Sequence, residues 1–192
     1  MLQKLLSFTR RAVDHYHMIE EGDRIAVGVS GGKDSLTLLT ALAGLRRFYP
    51  KKFEVVAITL EMGYNDMDFS PVQALCDELE VEYIRIPTQI KQIVFDIRKE
   101  ENPCSLCAKL RRGALHEAAL QAGCKKVALG HHFDDVVATY MLSLMYEGRI
   151  SCFKPVTYLD RVGVTLIRPL IYTPEQYIRS FATRNNLPVV HN

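Results

Sequence analysis

The sequence predicts a single α/β domain in which a mainly parallel sheet is flanked by helices. Short apolar runs rich in β-branched residues alternate with longer segments whose apolar residues recur at helical spacing. This alternation favours parallel strands, because a crossover between parallel strands usually contains a helix. The 192 residues, of which 48% are hydrophobic, are near the size of one ordinary domain with one sizeable core.

The order of the elements follows from the same two patterns. The predicted helices cover residues 2–20, 34–47, 71–79, 89–99, 105–122, 133–146 and 173–186. The predicted strands cover residues 24–29, 53–60, 82–86, 126–129 and 163–167. Ligands of parallel α/β folds bind beyond the carboxyl ends of the strands, where residues 30–35, 61–68 and 130–135 are expected.

Charge and cysteine content limit the classes of protein to which the chain can belong. The formal net charge of +2 does not by itself indicate a nucleic-acid binder, although basic residues cluster at Lys109, Arg111 and Arg112. Five cysteines without a secretion signal argue against a disulfide framework. No apolar run is long enough to span a bilayer, and residues 1–20 lack a signal-peptide pattern, so we expect a cytoplasmic location and no membrane partner.

The first candidate site is the segment Ser-Gly-Gly-Lys-Asp-Ser at residues 30–35, between a predicted strand and a predicted helix. Its glycines let the backbone approach an anion, and the helix N-terminus favours phosphate. Its lysine adds a positive charge, and its two serine hydroxyls can donate hydrogen bonds. The spacing fits neither a Walker P-loop nor the G-x-G-x-x-G dinucleotide motif. The alternative is a glycine-rich turn that binds no ligand.

The second candidate site is the segment Gly-His-His-Phe-Asp-Asp at residues 130–135. Gly130 permits a close turn near a nucleotide, and the imidazoles of His131 and His132 can donate hydrogen bonds to phosphate. Asp134 and Asp135 offer carboxylate oxygens that could hold Mg²⁺ directly or through water. In the alternative interpretation, the two carboxylates bind free amides at a helix N-terminus.

The third candidate site is the C-x-x-C pair of Cys104 and Cys107, at the start of a predicted helix. Such a pair can be a redox couple, half of a zinc site or two ligands of an iron–sulfur cluster. A zinc site needs two more ligands, and the sequence contains no second C-x-x-C.

Residues 30–35 resemble the Ser-Gly-Gly-x-Asp-Ser signature of the PP-loop ATP pyrophosphatase superfamily. The resemblance implies one PP-loop ATPase domain over residues 1–192, with an adenine nucleotide α-hydrolase-like, Rossmann-like fold. It also implies that ATP is cleaved between its α- and β-phosphates, with Lys33 and Asp34 as the catalytic residues. The residues it implies for nucleotide binding are Ser30, Gly31, Gly32, Lys33, Asp34, Ser35, Gly130 and His131.

The string Cys-Ser-Leu-Cys-x-x-Leu-Arg-Arg-Gly at residues 104–113 resembles the TtcA-like tRNA 2-thiocytidine synthetase family. The order of the motifs and the segment Ile-Arg-Pro-Leu-Ile-Tyr at residues 167–172 also resemble that family. The resemblance implies that Mg²⁺-ATP adenylates a cytidine carbonyl of tRNA and that sulfur then displaces AMP. The implied partners are tRNA, a sulfur-donating protein such as a cysteine desulfurase, and a second copy of the chain.

That family holds a [4Fe–4S] cluster with three cysteines, two of which match Cys104 and Cys107. Its third cysteine comes from a later motif, which should begin about where this sequence stops, at Asn192. The last cysteine present is Cys152. We therefore expect that a cysteine-bearing C-terminal tail is missing and that the chain as it stands assembles the cluster poorly.

Two other functions remain open from the sequence. A lysidine synthetase-like ligase shares the PP-loop, but attaching an amine needs no pair of thiolates. The 2-thiouridine enzymes with two zinc fingers are disfavoured, because the N-terminal cysteine pairs are missing. A nucleotide-binding module in which Cys104 and Cys107 bind structural zinc is the other alternative. Iron with acid-labile sulfide would support thiolation, whereas zinc would support the structural alternative.

Overall fold

The computed structural model describes residues 1–63, 67–97 and 103–190 of the chain. Its helices are α1 (Leu2–His15), α2 (Lys33–Leu45), α3 (Ser70–Glu78), α4 (Pro103–Gln121), α5 (Phe133–Glu147) and α6 (Glu175–Arg184). Its strands are β1 (Asp23–Gly28), β2 (Phe53–Glu61), β3 (Glu82–Pro87), β4 (Lys126–Ala128), β5 (Val156–Leu159) and β6 (Val164–Ile167). A π-helical turn covers Gln92–Ile97.

The strands form one sheet in the order β3-β2-β1-β4-β6-β5. Every neighbouring pair is parallel except β5 and β6, which form an antiparallel hairpin. The predicted α/β class with a mainly parallel sheet is therefore confirmed. The chain adds β2 and β3 on one side of β1, and β4 and β6 on the other. This reversal opens a crevice beyond the carboxyl ends of β1 and β4, where ligands of such folds bind.

Alternate residues of β1 contribute to the cores on the two faces of the sheet, as the period of two in a strand requires. The larger core joins the sheet to α1, α2, α3 and α6 and includes Ile25, Val27, Leu38, Leu39 and Phe181. The smaller core joins it to α4 and includes Ala26, Val56, Ala118, Ala119 and Val127. Strands β1 and β4 lie between the two cores, and their buried residues form the base of the crevice.

The predicted N-terminal helix over residues 2–20 is too long. Helix α1 ends at His15, and the backbone of His17 then turns with a φ of +48°. Met18 and Ile19 are buried, so they contribute to the core from a turn. Their apolar character continued the helical pattern, and no glycine or proline marked the true end.

Two further predictions differ from the structure. The helix predicted over residues 89–99 includes a π-helical turn, and residues 98–99 lie outside the described residues. Strand β5 was not predicted; it lies at the edge of the sheet, and none of its four residues is buried. Its hairpin closes through Gly163, which has a φ of +74°. Residues 64–66 of the predicted strand-end segment 61–68 also lie outside the described residues.

Within the described part of the chain, no helix is both long enough and apolar enough to cross a membrane.

Candidate active site

The turn of residues 30–35 lies at the carboxyl end of β1 and leads directly into α2. Gly31 has a φ of +84°, a conformation that side chains other than glycine rarely adopt. A Cβ atom there would lie 2.9 Å from the Cβ of Val190, so this side of the turn is closed. At Gly32 the nearest atom to an added Cβ is the Ser30 hydroxyl, at 3.5 Å. The turn therefore has one packed side and one open side.

The Ser35 hydroxyl holds the turn together from inside. It donates to the carbonyl of Gly32 at 2.9 Å and accepts from the amide of Ser30 at 3.2 Å. The Ser35 side chain is buried. Because its proton is engaged within the turn, Ser35 shapes the backbone that a ligand would meet. The Ser30 hydroxyl accepts from the Gly32 amide at 3.4 Å.

The segment of residues 130–135 lies beside this turn, as the sequence predicts from the two strand ends. Strands β1 and β4 are direct neighbours, and Gly130 follows β4 closely. A Cβ atom at Gly130 would lie 3.1 Å from the carbonyl carbon of Asp34 and 3.2 Å from the amide nitrogen of Ser35. Glycine is thus required for the close approach of the two backbones.

Lys33 is held between two carboxylates. Its ammonium lies 3.0 Å from Asp34 and 3.1 Å from Glu175 at the start of α6. Burial would lower the pKa of Lys33, but the hydrogen bonds to Asp34 and Glu175 outweigh it and raise the pKa above its ordinary value. The hydrogen bond from Lys33, with a further one from Arg179, lowers the pKa of Glu175. Lys33 therefore stays protonated and is already oriented at the turn.

His132 connects the two segments. Its Nε2 atom lies 3.7 Å from an Asp34 oxygen, and its Nδ1 atom lies 3.6 Å from Asp135 and 3.8 Å from Asp134. The side chain is buried, and Nδ1 has no hydrogen-bond partner. The sequence predicts His131 as a nucleotide-binding residue, whereas the structure places His132 next to Asp34.

The two carboxylates after His132 bind backbone amides. Asp135 accepts from the amide of His132 at 2.8 Å within a capping box, and Asp134 accepts from the amide of Glu175 at 2.6 Å. This is the alternative that the sequence left open for Asp134 and Asp135. Among the described residues, no group of three His, Cys, Asp or Glu side chains is placed to hold a metal ion. A magnesium role for these carboxylates stays a prediction.

A cavity of about 310 Å³ opens next to the turn and is lined by β1, β2, α4 and the segments that follow β1 and β4. This volume is at the small end of ordinary ligand sites. The cavity walls are largely apolar, with cationic side chains contributed by α4. The lining residues are Gly28, Val29, Ser30, Ile58, Leu60, Ala108, Arg111, Arg112, Leu115, Leu129 and His131.

His131 belongs to this cavity. Burial, together with the positive charge of Arg168, lowers the pKa of His131, so the imidazole is neutral near pH 7. Its Nδ1 atom is buried and unpaired. A neutral imidazole has one donor and one acceptor, so His131 can still donate a single hydrogen bond to a ligand.

Cys104 and Cys107 lie in the first turn of α4. Cys104 is exposed and Cys107 is partly exposed. Residues four apart lie on one face of a helix, so Cys104 is one turn above Ala108 and Cys107 is one turn above Arg111. Since both of those residues line the cavity, each cysteine precedes a cavity residue by one helical turn.

Comparison with known proteins gives the family of the chain. The PP-loop domain family matches residues 4–191. The chain is 42% identical over 189 residues to the tRNA-cytidine(32) 2-sulfurtransferase of Geobacter metallireducens, covering 98% of this chain and 74% of that protein. The corresponding protein of Geobacter sulfurreducens is 41% identical, with the same coverage.

A solved structure is also similar. The U34-tRNA thiolase from Methanococcus maripaludis, determined with its [4Fe–4S] cluster, is 25% identical, with a TM-score of 0.74. That match covers all of this chain and 66% of the thiolase. Because the family model matches residues 4–191 and these relatives are 41–42% identical over 98% of the chain, the chain belongs to the PP-loop domain family and, within it, to the family of the tRNA-cytidine(32) 2-sulfurtransferases.

Proposed function

We propose that the protein is an ATP-dependent tRNA sulfurtransferase that adenylates a cytidine carbonyl and replaces its oxygen with sulfur, giving 2-thiocytidine. The observation that carries this proposal is the position of the C-x-x-C pair, one helical turn from a cavity that shares Ser30 with the turn of residues 30–35. This position would bring the cysteines and the bound ATP to the same crevice, at the carboxyl ends of the strands.

The turn of residues 30–35 fits the phosphates of ATP. The open side at Gly32 leaves room for an anion, and the first amides of α2 lack partners within the helix. Lys33 would exchange its carboxylate partners for phosphate oxygens as ATP binds. When the cytidine oxygen attacks the α-phosphorus, Lys33 and the turn amides stabilise the charge on the leaving pyrophosphate.

Asp34, with Asp134 or Asp135, would hold Mg²⁺. The donor set is suitable, because carboxylate oxygens are the ligands that Mg²⁺ prefers and all three residues lie around His132. The ion would supply further charge neutralisation at the phosphates. Asp34 would carry most of this role, since the other two carboxylates already accept hydrogen bonds from amides.

Cys104 and Cys107 would hold two irons of a [4Fe–4S] cluster. Cys104 is exposed and Cys107 is partly exposed, so both thiols are accessible, and cysteine is the usual protein ligand of such clusters. The cluster, when bound, would supply the sulfur that replaces the oxygen. Among the described residues, no third cysteine lies with this pair in a group that could hold a metal. The chain spans about three quarters of the length of its curated relatives.

The basic side chains of α4 would contact tRNA. Arg111 and Arg112 line the cavity, and Lys109 is exposed on the same helix. Positive charge at this position would attract the phosphates on either side of the target nucleotide. A sulfur-donating protein, such as a cysteine desulfurase, would restore the consumed sulfur, and tRNA as substrate favours a cytoplasmic location.

A second copy of the chain is the proposed partner of α5. Of its residues, only Ser143 is buried, and its exposed large apolar side chains are Phe133, Val137, Tyr140, Met141, Leu142, Leu144, Met145 and Tyr146. Residues 136–146 contain no charged side chain, so two copies can pair about a two-fold axis without like-charge repulsion. Sedimentation should show a dimer that Met145→Glu dissociates. A monomeric wild-type chain would contradict this pairing.

The proposed function is tested by AMP formation from ATP in the presence of tRNA. Asp34→Ala should lower the rate by about 10²- to 10³-fold, the usual effect of removing one group that stabilises transition-state charge. Asp160→Ala is the matched control, because Asp160 is exposed in the β5–β6 turn. If AMP formed equally well without tRNA, or if Asp34→Ala kept the wild-type rate, the proposal would be wrong.

The cysteine role needs its own measurement. In a longer chain that carries a downstream cysteine, anaerobic incubation with iron and sulfide should give 2-thiocytidine, detected by mass spectrometry of digested tRNA. Cys104→Ala in that chain should form none, while its ATP affinity stays unchanged. Ser105→Ala, in the same exposed turn, is the control and should behave as the wild type does. Tightly bound zinc with full activity of Cys104→Ala would instead support the structural zinc alternative.

A further inference from the structure

Arg168, directly after β6, is a buried cation without an acidic partner. Its side chain is only 7% exposed, and no carboxylate of the described residues lies within 4.0 Å of it. Its Nη1 atom donates to the carbonyl of Lys154 at 2.5 Å and to the hydroxyl of Thr157 at 3.4 Å. Its Nε atom is buried and has no partner at all.

The position of Arg168 links it to the active-site crevice. Strand β6 pairs with β4, and the amide of Leu129 donates to the carbonyl of Ile167 at 3.0 Å. Arg168 and His131 contact the same ring: the guanidinium and the imidazole each lie 4.9 Å from the centre of Phe153. His131 lines the cavity, and its buried Nδ1 atom is also unpaired. Two strand spacings, about 10 Å, separate Arg168 from the turn of residues 30–35.

The contacts within the protein do not account for this arrangement. A buried charge without a counter-ion costs several kcal/mol, and stacking on one aromatic ring returns only part of that cost. A methionine or leucine could fill the same space without the cost. A bound anion would offset this cost, and guanidinium matches the two oxygens of a phosphate group.

We propose that Arg168 and His131 form a second phosphate-binding position of the crevice, separate from the turn of residues 30–35. This inference rests on the proposed function, because the phosphate comes either from ATP or from the tRNA strand that carries the target cytidine. The target base has to leave its stack to reach the α-phosphorus, which brings a backbone phosphate of the tRNA into the crevice with it. The two sources are separated by measuring each ligand alone.

The experiment compares the wild type with Arg168→Met, which keeps the volume of the stem and removes the charge. ATP affinity is measured by calorimetry without tRNA, and the affinity for unfractionated tRNA is measured by filter binding without ATP. We expect one of these ligands to bind about 10- to 100-fold more weakly, as for a lost charge-assisted hydrogen bond, while the other is unchanged. Without ligand, the variant should melt at the wild-type temperature or above it, because an uncompensated buried charge has been removed.

Arg161→Gln is the matched control, because Arg161 is exposed in the β5–β6 turn, at the opposite end of β6 from Arg168. Unchanged affinity of Arg168→Met for both ligands would overturn the proposal. So would a lowered melting temperature with equal loss of both affinities, the result expected of an arginine that only anchors Lys154 and Thr157. If Arg168→Met does not fold, Arg168→Lys should show a smaller loss for the same single ligand. A wild type that binds neither ligand would contradict the proposed function instead.

Discussion

Helices α2 and α5 both start at the active-site crevice, and they differ in what covers them. Nine residues of α2 are buried, among them Leu36, Leu38 and Leu39, whereas α5 buries only Ser143. Both helices are rich in apolar residues, so composition does not separate them. The difference is that α2 lies against the sheet, α1 and α6, while the described residues leave much of α5 uncovered.

This contrast divides the site into two parts. The nucleotide part, at β1 and α2, is completed by the core of the chain itself. The part that would bind partners is built on α4, whose cysteines and basic residues would receive sulfur and tRNA, and on α5, whose apolar side chains would meet a second copy. The contrast predicts that substitutions in the nucleotide part change stability and ATP affinity, whereas substitutions in α4 and α5 change the binding of partners.

The largest expected effect is at Gly32. Its backbone has ordinary extended angles, with a φ of −77° and a ψ of 159°, and the space beside it is open. Gly32→Val should therefore fold normally and lose measurable ATP binding in calorimetry, because the side chain fills the place of a phosphate.

Gly31→Ala is the informative comparison with Gly32→Val. At a φ of +84°, and with Val190 only 2.9 Å from the added Cβ, alanine strains the turn. Denaturant unfolding should show a loss of about 1–3 kcal/mol. ATP affinity unchanged in Gly32→Val, or stability unchanged in Gly31→Ala, would mean that the open and closed sides of the turn are wrongly assigned.

The next largest effect is the difference in unfolding free energy between leucine substitutions in α2 and in α5. Leu39→Ala removes a fully buried side chain and should lower the free energy of unfolding by about 2–5 kcal/mol. Leu142→Ala, at a residue that is 55% exposed, should change it by at most about 0.5 kcal/mol under dilute, monomeric conditions. Equal losses in denaturant titrations would show that α5 is covered by this chain after all.

The smallest effect concerns the ion pair between Lys33 and Glu175. The lowered pKa of Glu175 means that its contribution to stability is present above the ordinary pKa of a glutamate and is lost as the pH falls through the lowered value. Glu175→Gln should thus melt slightly below the wild type at pH 7, and the difference should disappear in acid. It should also bind ATP slightly more tightly, since Lys33 has one competitor fewer. A difference in melting temperature that is independent of pH would contradict the ion pair.

Local patterns predicted much of the fold and part of the candidate site. The β1 strand, the turn of residues 30–35 and α2 were predicted within one or two residues, because a buried strand, a glycine turn and an amphipathic helix are each encoded by neighbouring residues. The end of α1 and the short β5 were not, since neither is marked by a local signal. Glu175 was missed because an acidic residue in the first turn of a helix is ordinary.

By itself, the sequence determined the α/β class, the PP-loop and the C-x-x-C pair, because each depends on residue types at fixed local spacing. Only the tertiary structure decided which side chains meet from distant segments. It placed Glu175 on Lys33, His132 beside Asp34, and the buried Arg168 next to His131 without an acid. Such contacts depend on the order of the strands and on which face of each helix is covered. Both follow from the packing of the whole core and not from any one segment.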